Sequence, residues 1–127
     1  MSDYTAKKIG DMEAGFGGGF VKVRAELGAS AFGMQVIQLP PNFDGYPDHD
    51  HSDSGQEEIF VTLAGSGSMD IEGDRVGLDP ETVVRVGPNV KRKINPGADG
   101  IRVMVVGGVP GGVDAAPEMS DLTSSAA

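Results

Sequence analysis

A chain of 127 residues is the size of one domain with a real core, and its 20 glycines, 8 prolines and lack of long helical periodicity predict short strands. The formal charge of −9 excludes nucleic-acid and anionic-membrane surfaces, which need clustered cations. The absence of cysteine excludes disulfides, thiolate catalysis, zinc ribbons and iron–sulfur clusters.

Residues 1–19 are polar and end in Gly-Phe-Gly-Gly-Gly. They are expected to form an N-terminal arm, with a short strand near residues 4–9 that could add to a neighbouring subunit. They hold no apolar stretch of signal-peptide length, so a cytoplasmic location is the expectation. Residues 20–27 alternate: Val21, Val23, Ala25 and Leu27 share one face, and Lys22, Arg24 and Glu26 the other. That pattern predicts a half-buried antiparallel strand. A second strand is predicted over 32–39, stopped by Pro40 and Pro41. A loop over 42–47 leads to the histidines.

The stretch 45–67 reads GYPDHDHSDSGQEEIFVTLAGSG. His49 and His51 are the only histidines, and two residues apart on extended chain they face one side. If the chain turns over 52–55 and returns as a strand, Glu58 can meet them. Two imidazoles and a carboxylate form a borderline donor set for a divalent transition metal. In the strand 57–63, Glu58, Phe60 and Thr62 face one way, and Ile59, Val61 and Leu63 the other. Glu57 reads as a solvent-facing carboxylate, and Asp44, Asp48, Asp50 and Asp53 as a hydrated acidic rim.

Glycine-marked turns are expected at 65–67, with residues 68–72 pairing back as a hairpin, and at Gly73-Asp74. Strands follow over 76–78 and 82–86, separated by the turn Asp79-Pro80-Glu81. After the turn 87–89, Val90, Arg92 and Ile94 alternate against Lys91 and Lys93, so Arg92 is expected to point inward. Pro96-Gly97 reads as a turn and 101–106 as the last strong strand. Residues 114–127 are Ala- and Ser-rich and read as a flexible tail, leaving 20–113 as the folded domain. The strand count and the modest apolar share of 39% point to an all-β sandwich or small barrel with a polar lining.

Gly45, His49, His51, Glu58 and Gly65 resemble the first motif of the cupin superfamily, although the Gly45–His49 spacing is short. The segment GPNVKRKINPG over 87–97 looks like the second cupin motif, with Pro88 and Asn95 matching and Asn89 in place of glycine. The resemblance spans roughly residues 30–107. It implies a double-stranded β-helix, the cupin jelly-roll barrel, with a site inside it. It also implies a homodimer.

Cupins with a full metal set place a histidine where this chain has Arg92, and arginine does not ligate metal. Two readings follow. In one, His49, His51 and Glu58 hold iron, manganese, nickel or zinc, Gln56 adds an amide oxygen, and Arg92 binds an anionic group of a small-molecule substrate. Phe60, Thr62 and Met34 would line that pocket. The chain would then be an oxygenase, isomerase or decarboxylase, with Arg92 and Glu58 at the chemistry. In the other, Arg92 pairs with Glu58 in place of a metal, and the barrel is a binding or sensing module. A cupin epimerase using a His base and a Tyr acid is disfavoured, because Tyr4 and Tyr46 lie off the predicted strands.

Overall fold

The computed structural model describes residues 2–111. In chain order it has β1 (Ala14–Gly15), β2 (Phe20–Val21), α1 (Val23–Leu27), β3 (Gly33–Leu39), β4 (Glu57–Ile71), β5 (Asp74–Leu78), β6 (Val83–Val86) and β7 (Arg92–Gly108). Single 3-10 turns cover Ile9–Asp11 and Phe16–Gly18. All strand pairs are antiparallel, in the order β1-β2-β3-β7-β4-β5. Strand β6 lies beside the first half of β4, and β5 beside the second half. The all-β jelly-roll expectation holds among the described residues, with the one-turn helix α1 and the two 3-10 turns as the exceptions.

The long β4–β7 pair is the spine. Along the first half of β4, Glu58, Phe60 and Thr62 are buried while Ile59 and Leu63 are exposed. Their partners on β7 are Gly107, Val105 and Val103, all buried. Beyond Gly65 the buried phase changes to Met69, opposite Ile94, and Ile71 faces Arg92. A one-residue slip would turn every side chain to the wrong face, so each strand must absorb the change locally. It does so in register shifts at 62–64 and 65–67, where residues 97–100 of β7 bulge opposite Ser66. Gly65 adopts φ +73, and a Cβ there would collide with the Gly100 carbonyl. The predicted turns at 65–67 and Pro96-Gly97 are therefore bulges inside continuous strands, since glycine serves a corner as well as a reversal. Residues 68–71 pair instead with β5 and β7. The tight reversal sits at Glu72-Gly73, both with positive φ, one residue before the predicted position.

Residues 20–27 are the second correction. Only Phe20 and Val21 are strand, and Val23–Leu27 is a helical turn closed by Gly28 at φ 73. Gly28 N–H donates to the Ala25 carbonyl and Ala29 N–H to that of Arg24. The segment meets two patterns at once: valines alternate, but Val23 and Leu27 are also four apart and Ala-Glu-Leu favours helix. Ala25 ends exposed, where a strand would have buried it. The strand expected near residues 4–9 is also absent; the strand nearest the N-terminus is β1, paired with the chain's own β2.

Two apolar clusters result. The inner one joins Ile37, Phe60, Met69, Val84, Val86, Ile94, Val103 and Val105 among others. The outer one joins Met12, Val21, Val23 and Val36, with Ile9, Leu27, Met34 and Met104 against it. The N-terminal segment and α1 thus cover the outer face of β3 and β7, and their inner face lines the barrel. The tail expected over 114–127 lies outside the described residues.

Candidate metal centre

The histidines sit on extended chain laid beside the start of β7. His49 N–H donates to the Arg92 carbonyl (3.1 Å), and Arg92 N–H returns to the His49 carbonyl (2.8 Å). His51 N–H donates to the Pro88 carbonyl at 2.8 Å. The chain then reverses: Ser54 and Gly55 N–H both donate to the His51 carbonyl, with Gly55 at φ 71. Asp50 braces this turn by accepting from Ser52 N–H (3.1 Å) and Ser52 Oγ (2.8 Å), and the backbone bond first, then the hydroxyl, holds its carboxyl below the ordinary aspartate range. The reversal returns as β4 and brings Glu58 to the rings.

His49, His51 and Glu58 each offer a donor atom, and these atoms lie within 4.8 Å of one another. The His49 Nδ1 is 3.0 Å from the Pro47 carbonyl, which fixes the proton on Nδ1 and leaves Nε2 as the donor. The two rings are 5.0 Å apart and nearly perpendicular. His51 Nε2 lies 3.1 Å from Glu58 Oε1, yet neither atom makes a hydrogen bond among the described residues. Glu58 is 3% exposed and Arg92 0%. Arg92 Nη2 donates to the Gly87 carbonyl at 2.5 Å. Its Nη1 stands 3.7 Å from Glu58 Oε1, too far for a hydrogen bond.

Four buried polar atoms therefore lack hydrogen-bond partners around the triad: His51 Nε2, Glu58 Oε1, Arg92 Nε and Arg92 Nη1. Buried polar atoms are ordinarily satisfied, so such a cluster marks a place for an ion, a ligand or water. Two imidazoles and a carboxylate fit a divalent transition metal with coordination positions left open.

The other expected site residues divide. Phe60 and Thr62 lie on the same inward face as Glu58. A Cβ on Gly107 would collide with the Gln56 side chain, so Gln56 lies over Gly107, the register partner of Glu58. Met34 packs in the outer cluster, on the far side of the sheet. As a pocket wall it is a correction: both faces of β3 are covered, so apolar alternation there does not identify the inner one. Glu57 points outward and pairs with Arg85 at 2.7 Å.

Tyr46 is the residue that strand patterning missed. It lies on the irregular loop before His49, yet it packs on the inner cluster, with its ring 5.7 Å from that of His49. Burial, and then the nearby Glu58 carboxylate, push its hydroxyl far above the ordinary phenol range, with Arg92 opposing. A neutral phenol therefore stands beside the triad. The available signal was proximity in sequence to the His-x-His pair.

No family model matches the sequence, and no curated protein matches it. Solved structures do. A cupin protein from Bacteroides fragilis is 21% identical, with a TM-score of 0.74 over 98% of this chain and 99% of its own. A putative sugar phosphate isomerase from Acidithiobacillus ferrooxidans is 22% identical, with a TM-score of 0.59 over 69% of this chain and 56% of its own. A cupin 2 conserved barrel domain protein from Salinispora arenicola is 21% identical, with a TM-score of 0.54 over 67% of this chain and 69% of its own.

Proposed function

We propose that this chain, whose fold is that of the cupins, is a metal-dependent small-molecule enzyme acting on an acidic metabolite. His49, His51 and Glu58 hold a divalent transition ion, and Arg92 receives the anionic group. The carrying observation is the cluster of unpartnered buried atoms around the triad. Bound there, a divalent ion supplies a Lewis acid with open positions for substrate or water. Charge supports the acidic substrate. Glu58 and Arg92 cancel, so the loaded site keeps the two positive charges of the ion inside a low-dielectric barrel. An anion is the natural complement.

Each side chain then has a task. His49 is oriented by its Nδ1 bond to Pro47. Glu58 offers Oε1 between His51 and Arg92. Arg92 keeps Nη2 on Gly87 and presents Nε and Nη1 to a ligand. Tyr46 adds a neutral hydroxyl next to the reacting region. Fold neighbours include a putative sugar phosphate isomerase, so the barrel accommodates chemistry of this scale. The choice among oxygenase, isomerase and decarboxylase rests with the substrate.

A second reading is favoured by the approach of Arg92 to Glu58: a metal-free binding barrel held by that pair. The separation of 3.7 Å and the two orphaned guanidinium nitrogens weigh against it. Elemental analysis of protein purified without an affinity tag separates the readings. Stoichiometric transition metal, lost in His51→Ala while the far-ultraviolet dichroism stays unchanged, supports the enzyme. Equal metal content in the variant, or none in the parent, sinks it.

A further inference from the structure

On the β7 side of Glu58 the inner face of the barrel is stripped of side chains, whereas the β6 partner of Glu58 is the buried Val86. Gly107 is the register partner of Glu58, and Gly33 is the partner of Gly107 on β3. Over both glycines lies one side chain, that of Gln56, whose Nε2 stands where either Cβ would point. These three residues also line an open depression of about 270 Å³, with Arg24, Phe32 and Val109 at its rim. Among its lining residues Arg24 is the only charged side chain, and no carboxylate is present, although the whole chain carries −9. The acidic residues near the histidines, Asp44, Asp48 and Asp53, are exposed elsewhere on the loop.

We propose that this depression is the entrance through which an anionic small molecule reaches the triad, with Gln56 as the side chain that restricts its size. The inference rests on the metal reading above and adds a route and a specificity-determining residue to it. An amide is suited to the position. It is uncharged, so it neither repels an anion nor binds it firmly, and its rotamers can swing it off the two glycines. Arg24 supplies the attraction that raises encounter at the mouth.

The test uses the full chain loaded with cobalt(II), whose visible absorption reports on ligand exchange. Association of azide and of benzoate, a small and a large anion, is followed by stopped flow. Gln56→Ala, compared with the parent at equal cobalt loading, should speed benzoate by about fivefold, well within the range over which on-rates vary among variants of one site. Azide should change much less. Gly107→Ala, which forces the Gln56 side chain aside without removing a polar group, should act in the same direction. Arg24→Gln should slow both anions, and the difference should vanish at high salt. Benzoate rates unchanged in both Gln56→Ala and Gly107→Ala, with cobalt bound, would overturn the entrance. Failure of the parent to bind cobalt would instead overturn the metal reading, and the entrance with it.

Discussion

Arg92 is the residue at which the competing accounts diverge. A fully buried guanidinium facing a buried carboxylate is strongly destabilising when one partner is removed, by about 3–5 kcal/mol, if the two have only each other. If Glu58 has a metal as its counter-charge, removal of Arg92 has the opposite sign for metal affinity. A guanidinium and a divalent ion repel by several kcal/mol even at an effective dielectric near ~20. Arg92→Met should therefore tighten cobalt binding by at least about tenfold while abolishing azide binding. A cobalt titration of the variant beside the parent checks this; weaker or equal affinity refutes it. The inward aim of Arg92 was readable from its alternation with Lys91 and Lys93. So was the meeting of His49, His51 and Glu58, because two-residue spacing and one turn decide it. Tyr46 was not, because its direction depends on tertiary bonds that tie down its loop, such as Asn42 N–H to the Gly97 carbonyl and Lys93 Nζ to that of Asp44.

Among the elements, β4 and β7 carry the greatest demand, since both must change phase and still keep one face inward. Gly65 bears that demand on β4. Alanine there costs about 1–2 kcal/mol for the left-handed backbone alone. Its Cβ would also meet the backbone at Gly100, which cannot swing away as a side chain can. Gly73 has φ +91 but open space around it, so alanine there meets the backbone cost only. Gly65→Ala should thus lose more stability than Gly73→Ala by at least ~1 kcal/mol, read from urea midpoints at constant slope. Equal losses would mean that the corner relaxes freely. The same pair shows where sequence patterning stops. Period-two alternation separated the two faces of β4 and set Arg92 inward at the start of β7, but a glycine at positive φ marks a reversal and a bulge alike. The two differ only in what the chain beyond pairs with. The short helix α1 escaped for a related reason: five residues fit both periods, and packing of Val23 and Leu27 against the outer face of β3 decided between them.

At the scale of the whole molecule, the unpartnered atoms of the barrel interior link metal to stability. An apo chain keeps two Arg92 nitrogens buried without hydrogen-bond partners, and such groups cost ~1–3 kcal/mol each. An ion that binds the folded chain and not the unfolded one adds about 2.7 kcal/mol at a hundredfold excess over its dissociation constant. For a domain of this size, that corresponds to a rise in melting temperature of roughly 10 °C. The net acidity of the chain complicates a naive version of the experiment. With −9 overall and exposed aspartates near the histidines, any divalent cation gains some non-specific attraction. Magnesium serves as the control, since it prefers all-oxygen sites, whereas the triad offers two nitrogens and one oxygen. Nickel or zinc should therefore raise the melting temperature in the parent by the amount above and magnesium by little. His51→Ala should reduce the nickel shift to the magnesium level. If magnesium matches nickel in the parent, the stabilisation comes from the acidic rim, and the barrel interior is not where the ion binds.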